Sequence, residues 1–369
     1  MERINVSEVA LMGNELKYLK ECVETKWISS EGPFVKRFEA AFAEYCGTKY
    51  ATSVSNGTHA LHLALAAQGI KEGDEVIVPA LTFIATANAV KYIGAEPVLA
   101  DVDKTNWNID VNQLESLITK KTKAIIPVHL FGVPCDMGKI NEIAERHNLF
   151  VLEDAAQALG SEYEGKKSGN LGSAAIFSLY GNKIITTGEG GMITSNDKEL
   201  CERAFLLKNH AMRPERRYYH EELGFNYRMT NLQAAFGLAQ IEGITKIVDE
   251  RQKIANIYYK KFKNNDKIIV PKKANAGNKH NYWSFAVLLR KEYGISPKEL
   301  ADKLKQEGIE TRPFFTSLSR INFLNKKNQP CPIAEGLTDQ GIILPTFSGI
   351  SEKQIDFICN KIKQFSEES

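Results

Sequence analysis

Between residue 50 and about residue 196, short apolar runs alternate with longer stretches of helical periodicity. The runs fall at 50–54, 75–79, 97–100, 124–129, 150–153, 175–179 and 191–195. This rhythm predicts a largely parallel sheet with crossover helices. Several runs, such as Val76-Ile77-Val78 and Ala124-Ile125-Ile126, are apolar on both faces, as strands are when helices cover both sides of a sheet. The stretch 58–68 is apolar all round and opens behind Ser55-Asn56-Gly57, which predicts a buried helix with a polar, glycine-containing start. After about residue 235 the text becomes rich in lysine. It holds a strand near 283–289, a helix at 296–307 that begins Ser-Pro, and an amphipathic helix at 351–367. The expectation is an α/β protein with two parts. A large domain over 1–240 is built on a mostly parallel seven-stranded sheet, and a smaller C-terminal α/β domain covers 241–369. Residues 1–30 form a segment able to pack on the small domain.

Composition adds mainly exclusions. The chain has 369 residues, 43% of them hydrophobic, enough for a sizeable core. Forty-seven basic residues against 45 acidic ones give a formal charge of +2, so no global field draws nucleic acid or a membrane surface. The six cysteines are scattered without a C-x-x-C pair, which signals neither a metal site nor a disulfide framework. The first residues lack the apolar stretch of a signal peptide, and no run is long enough to span a bilayer. A cytoplasmic protein without bound metal is expected.

The candidate chemistry lies at the ends of the expected strands. Lys183 follows the run 175–179 in a polar, glycine-dense stretch, Tyr180 to Gly191, where a buried amine meets a ligand. Without that context it would read as a surface lysine. Asp154 follows the apolar run 150–152, at the carboxyl end of a strand, where open α/β sheets bind ligands. Taken alone it would more often be a helix cap than a ligand. Ser55-Asn56-Gly57-Thr58 offers backbone N–H groups and hydroxyls at a helix start, which suits either a phosphate or an ordinary cap. Ser178 could add a second hydroxyl there. Phe83 is a ring able to stack on a planar ligand or to pack in the core. A Schiff-base lysine, an acid for a pyridine nitrogen, a phosphate anchor and a cover for a ring are together what pyridoxal 5'-phosphate (PLP) needs.

In the spacing of Ser55 to Thr58, Glu153 to Gln157 and Gly181 to Gly191, the chain resembles the DegT/DnrJ/EryC1/StrS sugar aminotransferases. The likeness runs from Trp27-Ile28-Ser29 to Arg312-Pro313-Phe314-Phe315. It implies the aspartate-aminotransferase fold, PLP fold type I. It also implies Lys183 as Schiff-base lysine and proton shuttle, with Asp154 at the pyridine nitrogen. Gln157 would meet the ring hydroxyl, Gly57, Thr58 and Ser178 the phosphate, and Phe83 the ring face. Asn226 would reach the phosphate of a neighbouring subunit, which makes a homodimer with shared sites.

The resemblance further implies L-glutamate as amino donor, released as 2-oxoglutarate, with pyridoxamine 5'-phosphate carrying the amino group between half-reactions. The acceptor would be a nucleotide-linked 4-keto-6-deoxy sugar. GDP-4-keto-6-deoxymannose is the first expectation and a dTDP- or UDP-linked sugar the alternative, because Ile184 and Asn209-His210-Ala211 depart from the GDP-type pattern. Trp27, His210, Arg228, Arg312 and Phe314 are candidates to meet the nucleotide-sugar. A related sugar dehydratase would carry histidine in place of Lys183. An inactive scaffold with the same fold is the remaining rival.

Overall fold

The computed structural model describes residues 3–213, 215–324 and 329–367. At its centre are strands β1 (Tyr50–Val54), β2 (Glu75–Pro79), β3 (Glu96–Ala100), β4 (Thr122–Ile125), β5 (Phe150–Asp154), β6 (Ala174–Ser178) and β7 (Gly191–Ser195). They form one seven-stranded sheet in the order β1-β7-β6-β5-β4-β2-β3. Strand β7 runs antiparallel to both its neighbours, and the other pairings are parallel. Every residue of β2 and β5 is buried, because helices cover both faces of the sheet.

The fourth strand ends earlier than its apolar text predicts, at Ile125 rather than His129. Ile126 still donates to the carbonyl of Ile77 at 2.8 Å, but Pro127 has no N–H to continue the ladder. The chain instead turns beside the end of β5. There Asp154 N–H donates to Pro127 O at 2.9 Å, and His129 N–H donates to Asp154 O at 3.1 Å. The backbone of Asp154 is thereby fixed from both sides.

Helix α1 (Gly57–Ala67) is apolar around its circumference and packs on β6, β7 and their covering helices. Its N-cap, Asn56, accepts from His59 N–H at 2.8 Å. Helix α2 (Ala85–Tyr92) follows the end of β2. Two further helices, α3 (Asn231–Glu242) and α4 (Ile244–Phe262), meet at Gly243.

Beyond them lies a second, antiparallel sheet. Its strands are β8 (Ile268–Ile269), β9 (Phe285–Leu289), β10 (Arg312–Pro313) and β11 (Gly341–Leu344), in the order β8-β9-β11-β10. Side-chain alternation along β9 divides it between two cores. Phe285, Val287 and Leu289 join the core that contains Tyr258 and Ile358, whereas Ala286 and Leu288 join the core of the large sheet. At the N-terminus, Ile4 pairs with Ile309, and Thr346 N–H donates to Val6 O at 3.0 Å, so residues 4–6 lie against the second sheet.

Just past β3, the buried Asp101 joins the two halves. Its carboxylate accepts from Ile333 N–H at 3.0 Å and Ala334 N–H at 2.9 Å, at the start of helix α5 (Pro332–Gln340). Removing it leaves buried N–H groups unpaired. Asp101→Ala should therefore destabilise the protein by about 2 kcal/mol. A lower urea midpoint with an unchanged slope is the expected reading. An unmoved midpoint would show that this cap contributes nothing.

Candidate active site

The carboxyl ends of β5 and β6 and the start of α1 converge on one cavity of about 760 Å³. Asp154, the last residue of β5, is 5% exposed. One of its carboxylate oxygens accepts from the Thr86 hydroxyl at 2.7 Å and the other from Ala156 N–H at 3.2 Å. Burial pushes its pKa above the ordinary aspartate value. The Thr86 and Ala156 hydrogen bonds, and the positive charge of Lys183, pull it back.

Alternation along β5 sends the preceding carboxylate, Glu153, to another place. It is fully buried and saturated, accepting from the N–H groups of Gly169, Leu171 and Gly172 at 2.9, 2.7 and 2.8 Å and lying 3.1 Å from His129 Nε2. His129 Nδ1 accepts from Cys135 N–H, so Nε2 carries the proton it gives to Glu153. Of the two adjacent acids, only Asp154 opens on the cavity.

Lys183 stands in the loop between β6 and β7. The Thr186 hydroxyl stitches that loop by donating to Leu179 O, as does Thr187 N–H, each at 2.9 Å. The Lys183 amine lies 4.1 Å from the ring centre of Trp283. Burial lowers its pKa to about 8, against the attraction of Asp154, which works to hold the proton on. The arrangement yields an amine that gives up its proton near neutrality.

At the other end of the cavity, the start of α1 offers the N–H groups of Gly57 and Thr58, which have no partner within the helix. Gly57 is required there by close approach: a Cβ would come within 2.9 Å of the Ser178 Cβ. Gln157 accepts from Phe131 N–H at 2.7 Å through its side-chain oxygen, which leaves its amide nitrogen for the cavity. Phe83 forms part of the wall, half-exposed and edge-on to Phe315. Lys183, Asp154, Gln157, Gly57, Thr58, Ser178 and Phe83 thus share a single cavity.

The remaining expected contacts lie elsewhere. Arg312 and Phe314 line an adjoining cavity of about 470 Å³, which meets the first at Thr82, Phe83, Asn182, Trp283 and Phe315. Arg312 pairs with Glu310 at 2.7 Å. Phe314 is 4% exposed and packs against Trp107 and Phe131, while its neighbour Phe315 faces both cavities. Asn226 and Arg228 hydrogen-bond to each other on the surface, and Arg228 also reaches Asn209. His210 sits in a left-handed turn (φ 60°), and Trp27 is half-exposed with its carbonyl accepting from Asn231. None of Asn226, Arg228, His210 and Trp27 lines the cavity of this single chain.

Sequence reasoning missed Thr86 and Trp283. Trp283 falls in the expected strand near 283–289, and nothing local in the sequence marks either residue as part of a site.

With this geometry established, comparison with known proteins gives concordant results. The family model described as DegT/DnrJ/EryC1/StrS aminotransferase matches residues 10–363. The GDP-perosamine synthase of Caulobacter vibrioides is 48% identical over 99% of this chain and 98% of its own length. That of Escherichia coli O157:H7 is 47% identical over 99% of each. Among solved structures, the PLP-form of the putative sugar aminotransferase Spr1654 from Streptococcus pneumoniae superposes with a TM-score of 0.93 at 25% identity, covering 99% of each chain.

Reductive methylation with formaldehyde and cyanoborohydride, resolved peptide by peptide in the ligand-free protein, tests the amine directly. Only the neutral amine reacts, so labelling of Lys183 should be half-maximal near its pKa of about 8. Surface lysines should titrate near about 10.4. Asp154→Asn removes the charge that holds the proton on, so the Lys183 midpoint should move to lower pH. A midpoint shared with surface lysines would contradict the site as described.

Proposed function

Because the chain belongs to the DegT/DnrJ/EryC1/StrS aminotransferase family, we propose that it uses PLP to transfer an amino group from L-glutamate to C4 of GDP-4-keto-6-deoxymannose, forming GDP-perosamine. The observation that carries this reading is the convergence of the Lys183 amine, the Asp154 carboxylate and the open start of α1 on one cavity. PLP bears an aldehyde, a basic ring nitrogen and a phosphate, and these residues fit all three. The identity to proteins named GDP-perosamine synthase, over nearly the whole of both chains, supports the choice of sugar.

When bound, the cofactor supplies an electron sink for the pair left behind as a proton leaves carbon. Asp154, oriented by Thr86 and Ala156, holds a proton on the ring nitrogen, and the new cationic partner compensates its burial. The N–H groups of Gly57 and Thr58, with the Thr58 and Ser178 hydroxyls, bind the phosphate dianion at the positive end of α1. Gln157 donates its free amide N–H to the ring hydroxyl, and Phe83 covers the ring. Lys183 Nζ takes the α-proton of the donor and, in the second half-reaction, delivers a proton to the carbon that becomes aminated. An amine with a pKa of about 8 suits both directions.

The reading includes a homodimer, in which Asn226 contacts the cofactor phosphate held by the partner and the nucleotide-sugar meets Trp27, His210, Arg228, Arg312 and Phe314. Exposed apolar side chains at Leu11, Leu16, Val23 and Leu223, together with the surface position of Asn226, support it. The cytoplasm is the proposed location. All six cysteines are free, and among the described residues no helix is long and apolar enough to cross a membrane.

Lys183→Ala should abolish transamination while noncovalent PLP binding persists, and Asp154→Asn should slow both half-reactions by at least about a hundredfold. In the wild type, L-glutamate should bleach the visible band of the bound cofactor and GDP-4-keto-6-deoxymannose should restore it. Restoration by a dTDP- or UDP-linked keto-sugar alone would overturn the nucleotide assignment. Turnover by Lys183→Ala would overturn the mechanism.

A further inference from the structure

We propose that Trp283 is a positioning residue for Lys183: its indole face is where the amine rests whenever that amine is not bonded to the cofactor. The proposal rests on the reading of Lys183 as the amine that bonds PLP. The contact itself is a Lys183 Nζ placed 4.1 Å from the indole centre, in a wall that both cavities share. What distinguishes this tryptophan from ordinary packing is how firmly it is held.

Its indole N–H donates to Asn182 O at 2.7 Å, so the ring is tied to the residue just before Lys183. Its backbone N–H donates to Asn281 Oδ1 at 2.9 Å. The fully buried Asn281 in turn donates through Nδ2 to Gln157 O at 3.0 Å and Leu159 O at 2.9 Å. Gly132 is required beside it, because a Cβ there would lie 1.8 Å from Asn281 Oδ1. Finally, the Trp283 carbonyl accepts from Nη1 of the buried Arg251 at 3.3 Å. The anchors link the indole to the turn that carries Gln157 and to the loop that carries Lys183.

An aromatic face attracts the ammonium form through its quadrupole but accepts no conventional hydrogen bond from it. It can therefore hold a displaced lysine close to the reacting carbon while leaving the proton free to move. A carboxylate in that position would fix the proton instead. The other titratable groups lining the cavity are Asp154, His59, Tyr92, Tyr180, Glu189 and Tyr227, and of these Asp154 is the one whose charge acts on Lys183.

Trp283→Leu and Trp283→Phe test this by the pH dependence of Lys183 methylation in the ligand-free protein, with added PLP followed separately by its visible absorption. Loss of the π face in Trp283→Leu should move the Lys183 midpoint down by about half to one pH unit. Trp283→Phe, which keeps a smaller face and stays close in volume, should shift it in the same direction by less. An unchanged midpoint in both variants, with PLP still forming its lysine-bound absorption band in the wild type, would overturn the role of Trp283 alone. Absence of that band in the wild type would overturn the function reading and this proposal together.

Discussion

The structure depends on holding a largely desolvated amine and a carboxylate in the same cavity without letting them neutralise each other. Burial drives the Lys183 amine toward its neutral form and the Asp154 carboxyl upward, while their mutual attraction opposes both shifts. The balance depends on how the two groups are held. Asp154 is held through its backbone by Pro127 and His129 and through its side chain by Thr86 and Ala156. Lys183 lies in a loop closed by Thr186 and Thr187 and rests against Trp283. A freely mobile pair would form an ordinary ion pair, and the amine would stay protonated.

The architecture explains why this arrangement arises where it does. Parallel strands deliver their carboxyl ends to one edge of the sheet, and the crossovers place helix starts beside them. Strand β5 supplies Asp154, β6 supplies Ser178 and leads to Lys183, and the close approach at Gly57 lets α1 present its N–H groups between them. The antiparallel strand β7 between β1 and β6 closes the loop that carries Lys183. The second sheet completes the enclosure, bringing Trp283 and Phe315 to the walls.

Much of this was legible in the chain. The apolar runs located the seven strands because buried parallel strands are written as continuous β-branched text. Lys183, Asp154 and the segment around Gly57 stood out because each sits where such a strand must end. What was not legible came from long-range packing. The stop at Ile125 needed the weight of Pro127 against an apolar run. Thr86 and Trp283 reach the site from 68 and 101 positions away from the residues they hydrogen-bond. Phe314 and Phe315 are identical in sequence terms and both meet Phe131 and line the smaller cavity, but Phe314 packs against Trp107 while Phe315 also lines the larger cavity.

The central claim is that Lys183, among all the lysines of the chain, is the one whose amine meets the cofactor. Borohydride reduction of the protein incubated with PLP, followed by digestion and mass mapping, addresses it most directly. The account predicts a single phosphopyridoxyl group, carried by the peptide that contains Gly181-Asn182-Lys183. A stable adduct on any other lysine, with Lys183 unmodified, would contradict it.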